Sequence, residues 1–469
     1  MPTIDGLSDD LLLAIFDFYV VRHQDLELLL GNKDKIRSWQ SLVHVCRRWR
    51  SLVFGEPHRL NLRLCCTTRT PVRKTLDVWP ALPLLIRGNV SEMLVDNVIA
   101  ELGLSGRICQ IELKIHTTSQ IEKLWAVMQV PFPELAILCL TVSVGDLSYV
   151  PILPDSFLGG SAPRLRYLYM NNIPFPGLPK LHLSATHLVH LWLINIPHSE
   201  YFSPEAMITF LSELTSLESL NFQFESPQSS PDLENQLSPP PTRSILPALT
   251  EFWFKGVNEY LEDLLCRIDA PRLYLLSTMF FNDINFNTPE LNQFISRTPT
   301  LWPCDEACLV FRNHEALVSL QSHPMLSDHH RMVEVKILCQ ASDWQLSSLA
   351  QVCTLSLPAF STMETLYIYE NPHSPPDWKD NIENTKWLDL LLPFTDVKDL
   401  YLSKLFSPRI ALALQELTGG RITEVLPALQ NVLLEGFQPS EPVQEGIAQF
   451  ISARQLTNRP VAISLWERD

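Results

Sequence analysis

Glycine is scarce in this sequence, and long apolar runs are missing. The chain has 15 glycines among 469 residues, which disfavours glycine-rich nucleotide-binding loops and glycine-rich linkers. Apolar runs such as Leu11–Phe16 fall far short of the roughly 18–20 residues of a membrane span. Acidic residues occupy the N-terminus, where a secretory signal would be basic. We therefore expect neither a membrane protein nor a secreted one.

Basic residues are outnumbered, with 36 Lys and Arg against 52 Asp and Glu, for a net charge of −16. The first 80 residues are slightly basic, so the acidity is concentrated in the rest of the chain. An acidic body repels phosphate backbones, and we expect no nucleic-acid partner. The ten cysteines lack the regular spacing of a disulfide framework. Reduced thiols of this kind favour a cytoplasmic or nuclear location.

Recognisable catalytic motifs are absent from the sequence. It contains no GxGxxG or Walker-type loop, no HExxH and no GxSxG. Cys304 and Cys308 stand at a metal-like spacing, but no second pair completes a zinc set. We therefore predict no catalytic residue, no metal and no cofactor, and we expect a protein that is not an enzyme.

Two amphipathic helices are predicted within the first 57 residues. Ser8 is a good N-cap ahead of Asp9 and Asp10, and one apolar stripe follows at helical spacing: Leu12, Ile15, Phe16 and Tyr19. After a charge-rich insert at about 20–38, apolar residues at helical spacing from Trp39 to Val53 predict a second helix. Such a pair makes a small core. It is either a helical cap on a larger domain or a docking module whose apolar face a partner completes.

The segments 7–16 and 42–50 resemble an F-box, whose pattern is roughly Leu-Pro-x-Glu-Leu-Leu-x-x-Ile-Phe followed by Val-Cys-Arg-x-Trp-Arg. The Arg- and Pro-rich run from Arg59 to Pro80 extends the resemblance to the large F-box families of mushroom-forming fungi. The resemblance implies docking to the Skp-type adaptor of a Skp–cullin–F-box ubiquitin ligase, and through it to a cullin. Two departures are Ser8, where the family usually has Pro, and the insert, which lengthens the connection between the helices.

The matching positions imply a set of adaptor-binding residues. They are Leu7, Leu11, Leu12, Ile15, Phe16, Leu42, Val45, Cys46 and Trp49. Because some of these must form the core of the module itself, we expect the contacts to come from Leu7, Leu11 and Ile15, with part of the Cys46 and Trp49 region.

A loose repeat, apolar-x-x-apolar-x-apolar, begins after about residue 105. It starts at Ile108, Leu135, Leu165, Leu188, Leu217, Leu249, Met332, Met363, Val397 and Leu429. A partial copy begins at Leu273, and the long gap before Met332 has room for one more near 307–311. Spacings of this size predict leucine-rich repeats, each with one strand of a parallel sheet and a return segment that is often helical. The candidate return segments are 121–130, 205–213, 259–267, 291–297 and 410–417. The alternative is a mixed α/β domain with incidental Leu-x-x-Leu-x-Leu strings.

The repeat is degenerate. The position three residues after the last apolar one, where the consensus has Asn, holds apolar residues such as Ile173, Ile196 and Val257. We therefore expect no Asn ladder and an irregular solenoid.

The middle residue of each strand should point away from the core. Aromatic residues fill five of these eleven positions: Tyr169, Trp192, Trp253, Tyr367 and Tyr401. Aromatics on an exposed sheet face make good protein-binding anchors, although they also favour strands for local reasons. We predict that these five bind a protein target.

The predicted fold class is α/β, with an N-terminal all-α F-box followed by an irregular leucine-rich-repeat-like solenoid with a curved parallel sheet. The predicted domains are 1–57 (F-box), 58–104 (connector and first cap) and 105–469 (repeats), with a disordered loop at about 226–244. The resemblance implies a substrate-recognition subunit of a ubiquitin ligase. A non-degradative interaction scaffold and an enzyme with an unrecognised pocket are the alternatives.

Overall fold

The structure is a computed structural model that describes most of the chain. The described residues are 6–21, 38–57, 59–60, 62–69, 81–143, 150–174, 185–197, 203–227, 243–281, 288–302, 304–322, 331–339, 342–356, 362–376, 382–417, 419–436 and 441–467. Most of the charge-rich insert, at 22–37, and most of the predicted disordered loop, at 228–242, lie outside them. The chain forms two compact units, Met1–Glu200 and Tyr201–Asp469.

Three short helices open the first unit: α1 (Asp9–Val21), α2 (Ser38–Val43) and α3 (Arg47–Gly55). The prediction of one continuous helix from Trp39 to Val53 is wrong, because the chain breaks ahead of Cys46. Cys46 is extended, and its Sγ accepts a hydrogen bond from the backbone N–H of Trp49. A side chain that caps N–H groups in this way begins a new helix.

The rest of the first unit is a six-stranded, wholly parallel sheet in the order β1-β2-β3-β4-β5-β6. Its strands are β1 (Leu64–Thr67), β2 (Leu84–Asn89), β3 (Ile108–Ile115), β4 (Ile137–Val142), β5 (Tyr167–Asn171) and β6 (His190–Ile196). Helix α4 (Val95–Leu102) precedes β3, and α5 (Thr118–Val127) follows it. A capping box between Thr117 and Gln120 starts α5. The sheet thus begins at residue 64, within the segment predicted as connector and cap.

The second unit repeats the strand–helix alternation. Its strands are β7 (Ser219–Phe224), β8 (Ser244–Ile245), β9 (Glu251–Gly256), β10 (Ile268–Asp269), β11 (Leu275–Phe281), β12 (Glu306–Phe311), β13 (Glu315–Gln321), β14 (Met332–Leu338), β15 (Thr365–Glu370), β16 (Asp399–Leu402), β17 (Asn431–Glu435) and β18 (Ala462–Trp466). Its helices are α6 (Pro204–Ser212), α7 (Asn258–Leu265), α8 (Pro289–Arg297), α9 (Ser342–Gln351), α10 (Asn384–Leu391), α11 (Ser407–Gln415) and α12 (Glu441–Leu456).

The predicted repeat frames coincide with strands in both units. All ten complete frames and the partial one at Leu273 place their apolar residues on or just before a strand, and β12 occupies the gap where one more was expected. Their inward residues, such as Leu138, Leu220 and Leu400, are fully buried. Helices α5, α6, α7, α8 and α11 fill predicted return segments. The architecture is therefore a leucine-rich-repeat-like array of strands and helices.

The sheet of the second unit departs from the predicted parallel pattern at one place. Its strand order is β7-β9-β11-β14-β13-β12-β15-β16-β17-β18, and β13 runs antiparallel to both β12 and β14. Only three residues separate β12 from β13, and Arg312 N–H donates to the Glu315 carbonyl across the turn. A connection so short can close a hairpin but cannot return the chain for a parallel strand.

Charged side chains link successive repeats. The Glu262 carboxylate of α7 accepts hydrogen bonds from the backbone N–H groups of Glu290 (2.7 Å) and Leu291 (2.9 Å), in the first turn of α8. At the other end of α8, the Arg297 guanidinium donates to the carbonyl of Ile268 (3.0 Å). The Glu262 carboxylate thereby satisfies two N–H groups that α8 itself leaves unbonded, and Arg297 ties the other end of α8 to β10.

Asparagine does contribute at two adjacent strand ends, one position earlier than the consensus position. Asn172 and Asn195 adopt the left-handed conformation, with φ of 59° and 52°. Asn172 Nδ2 donates to the Val142 carbonyl, and Asn195 Nδ2 donates to Asn171 Oδ1. Asn tolerates this backbone conformation better than most residues, so two local turns are stabilised without a ladder along the solenoid.

Glu101, in α4, is almost fully buried, and neither carboxyl oxygen has a hydrogen-bond partner. Burial raises the pKa of Glu101 from 4.5 to about 8. Between these values the folded chain holds a proton that the unfolded chain has lost, so stability falls as pH rises through this window. We expect Glu101→Gln to remove this loss, which amounts to about 2–3 kcal/mol between pH 5 and 7.5.

Urea denaturation of the native chain and the variant across that pH range measures the difference. The control is Glu122→Gln, which removes an exposed carboxyl from neighbouring α5 and should leave the pH dependence unchanged. Parallel curves for the native chain and Glu101→Gln would contradict the prediction.

Candidate functional site

The three N-terminal helices share a small core. Leu12, Phe16 and Leu42, which belong to the implied adaptor-binding set, are buried within it. The Phe16 and Trp49 rings lie 4.7 Å apart between centroids, and Trp49 is half-buried. These residues hold the helices together, and as placed here they do not offer a surface to a partner.

A different set of apolar side chains faces outward on α1. Leu11, Ile15 and Phe18 are 55%, 50% and 61% exposed, and their i, i+4, i+7 spacing places them on one helical face. We call these three residues the α1 face. The predicted stripe of Leu12, Ile15, Phe16 and Tyr19 is therefore not buried as a whole, because Ile15 and Tyr19 are exposed while the other two are buried.

The remaining predicted adaptor-binding residues lie at different depths. Val45 and Cys46, in the turn between α2 and α3, are exposed, and Leu7 is half-buried. Sequence reasoning missed Phe18. Its position seven residues, or two helical turns, after Leu11 is the signal that would have placed it on the same face.

Polar contacts fix the orientation of α1 against α3. The Arg48 guanidinium donates to Asp9 Oδ1, 2.6 Å from Nη2, and to the Leu7 carbonyl. The indole Nε1 of Trp39 donates to the Arg63 carbonyl at 3.0 Å, just ahead of β1. These hydrogen bonds therefore hold in place the helices that present the α1 face.

The five aromatic residues predicted to bind a target are all half-buried, on the side of their strands opposite the buried core residues. In the first unit, Tyr169 stands beside Trp192 in the sheet register, with ring centroids 6.1 Å apart. In the second unit, Tyr367 stands beside Tyr401, with centroids 4.4 Å apart and rings nearly parallel. Trp253 is flanked in register by Asn221 and Ser277.

Sequence reasoning missed a sixth aromatic, Trp466. Its indole is perpendicular to the Tyr401 ring at 5.3 Å and lies 6.2 Å from the Tyr367 ring. Trp466 ends β18, which carries no complete repeat frame. The alternation Ala-Ile-Ser-Leu-Trp from 462 to 466 is the signal that would have found the strand.

Electrostatics differ between the two aromatic clusters. In the first unit, the carboxylate of Glu112 is paired with Arg87 at 2.8 Å, and burial raises the pKa of Glu112 in spite of that arginine. In the second unit, burial and the nearby carboxylates of Glu306 and Asp399 raise the pKa values of Tyr367 and Tyr401. The second cluster is therefore next to two acidic groups.

Among the described residues, the cysteine thiols and the groups that could bind a metal bear on reactive chemistry. Burial raises the pKa of Cys139, Cys304 and Cys308 to about 12, which keeps these thiols protonated and weakly nucleophilic. Across the described ranges, no group of three His, Cys, Asp or Glu side chains is placed to hold a metal ion. Nor is any helix in the described part of the chain both long enough and apolar enough to cross a bilayer.

Comparisons with known proteins add a structural likeness. No family model matches the chain, and the search of curated proteins returned no match. Among solved structures, the leucine-rich repeat-containing protein LegL7 from Legionella pneumophila matches at 12% identity, covering 82% of this chain and 97% of that one, with a TM-score of 0.26. Since that score is low, the repeat architecture rests on the order of strands and helices described above.

Proposed function

We propose that this chain is the substrate-recognition subunit of a Skp–cullin–F-box ubiquitin ligase. The N-terminal helices dock a Skp-type adaptor, and through it a cullin, while the solenoid binds a protein target. The α1 face carries the proposal. A small helical module with its own core nevertheless exposes three large apolar side chains on one helical face, and such a face is stabilised when a partner covers it.

The mechanism is positional, and the chain itself supplies no catalytic residue. The ligase's separate catalytic subunits deliver ubiquitin, and this chain raises the effective concentration of target lysines near them. The proposal includes a cytoplasmic or nuclear site of action and no cofactor, nucleic-acid or membrane partner. The net charge of −16 favours protein partners over phosphate backbones.

Calorimetric titration of the full chain with a purified Skp-type adaptor tests the docking half of the proposal. We expect a one-to-one complex with a micromolar or tighter dissociation constant and a negative heat-capacity change, because apolar surface is buried. Met93→Asp introduces a carboxylate at a highly exposed apolar residue outside the helical module. This variant should bind the adaptor with unchanged affinity. No binding by the folded native chain would overturn the proposal.

A non-degradative interaction scaffold is the second candidate. It shares the α1 face and the solenoid but lacks ubiquitin transfer. Reconstituting the adaptor complex with cullin, RING subunit, E1, E2, ubiquitin, ATP and a co-purified target separates the two candidates. Adaptor binding without ubiquitin on the target would favour the scaffold.

A further inference from the structure

The C-terminal part of the second unit presents an aromatic corner on the outer side of its sheet. Tyr367 and Tyr401 stack in register on neighbouring strands, and the Trp466 indole stands at right angles to Tyr401. Trp466 Nε1 donates to the Leu402 carbonyl at 3.4 Å, so the polar end of the indole is already bonded to the sheet. All three side chains are half-buried, which leaves part of each ring open to a ligand.

Two carboxylates lie along one side of this corner. The sheet register aligns Glu306, Thr365, Asp399 and Asn431 in one row across four strands. This row precedes the two tyrosines by two residues, so its side chains share their face of the sheet. Glu306 and Asp399 flank Thr365 on either side, so their backbones are two strand spacings, about 9–10 Å, apart.

The register places both carboxylates on the same face of the sheet as the tyrosine rings, two residues earlier along the strands. Asn431 Nδ2 donates to Asp399 Oδ1 at 2.7 Å, which orients that carboxylate. Lys398, its neighbour in sequence, pairs instead with Glu364 at 2.6 Å. Both carboxylates also act on the phenol groups, since their charges contribute to the raised pKa values of Tyr367 and Tyr401.

Aromatic faces and carboxylates together are the chemistry that recognises a cationic side chain. The face of a tyrosine or tryptophan ring attracts ammonium and guanidinium groups, and a carboxylate supplies the opposite charge and a hydrogen-bond acceptor. The acidic body of the chain adds long-range attraction for the same partners.

From this geometry we propose that the aromatic corner of Tyr367, Tyr401 and Trp466 binds a basic segment of a target protein. A lysine or arginine side chain lies against the rings, with its charge between Glu306 and Asp399. This inference rests on the proposed function, because it names the class of target segment that the solenoid recognises.

Fluorescence anisotropy with the full chain tests the inference without the adaptor. The probes are a short labelled Gly/Ser peptide carrying three lysines and the same peptide with each lysine acetylated. We expect the lysine peptide to bind at least tenfold more tightly than the acetylated one. Tyr401→Ala should weaken binding of the lysine peptide about fivefold or more. Asp399→Asn should also weaken binding of that peptide.

Two further variants separate recognition from folding. Tyr401→Phe keeps the ring and should retain near-native affinity, while Tyr169→Ala, in the first-unit cluster, should leave the affinity within about twofold of native. Equal binding of the two peptides, no binding of either, or equal effects of Tyr401→Ala and Tyr169→Ala would overturn the inference. Since no adaptor is present, such a failure would bear on the aromatic corner alone, whereas the adaptor titration bears on the N-terminal helices alone.

Discussion

The double substitution Leu11→Asp/Ile15→Asp is expected to weaken binding to a Skp-type adaptor at least 100-fold. Covering the exposed half of a leucine or isoleucine contributes roughly 0.8–1.5 kcal/mol per side chain. The substitution removes that gain at two positions and requires two carboxylates to be desolvated without partners, which costs more. The combined loss exceeds the roughly 3 kcal/mol that corresponds to 100-fold in affinity.

Folding should survive this change, which makes the measurement interpretable. Leu11 and Ile15 are each about half exposed in the free chain, so aspartate at these positions remains in water. Calorimetric titration gives the affinity, and circular dichroism with thermal unfolding monitors the fold. Leu12→Asp, at a buried neighbour on the same helix, should by contrast destabilise the module itself. Adaptor affinity within threefold of native for the double variant would exclude the α1 face as the docking surface.

Replacing Trp387 with alanine is expected to lower the free energy of unfolding of the second unit by about 3–5 kcal/mol. Trp387 in α10 is 1% exposed. Its ring packs against Phe311 of β12 at 6.1 Å and against Phe406, just ahead of α11, at 5.6 Å. Truncation leaves a cavity between a strand and two successive helices, and a close-packed interior fills such a space only in part.

Urea denaturation followed by circular dichroism measures this loss. The matched control is Trp344→Ala in α9, since Trp344 is 43% exposed and its removal should cost less than about 1 kcal/mol. Equal losses for the two variants would show that Trp387 does not hold the three elements together.

Strands were far easier to predict from this sequence than the helices between them. Each complete frame carries three apolar residues that a strand and its approach must bury, so the pattern marks most of the parallel strands. Helices α4, α9, α10 and α12 were missed. Phe157 and Leu158, buried in a short 3₁₀ turn, illustrate that apolar residues between strands need not form an α-helix at all.

The candidate site was predicted less completely, for a physical reason. In α1, the apolar residues surround most of the helix, and sequence spacing alone does not decide which of Leu11, Leu12, Ile15 and Phe16 are inside. The packing of α2 and α3 decides it, since the Trp49 ring lies against Phe16. Trp466 was not predicted, because its ring meets Tyr367 and Tyr401 only once the strands are arranged side by side in the sheet.

The sequence by itself determined where the strands that carry a repeat frame lie, the acidic character of the body and the apolar nature of the N-terminal helices. These features are local or compositional, because strand alternation and charge are written residue by residue. Tertiary structure alone decided the antiparallel hairpin of β12 and β13, the choice of α1 residues left exposed and the meeting of Trp466 with the two tyrosines. Those outcomes depend on which elements become neighbours, and neighbours are chosen by packing between residues far apart in the chain.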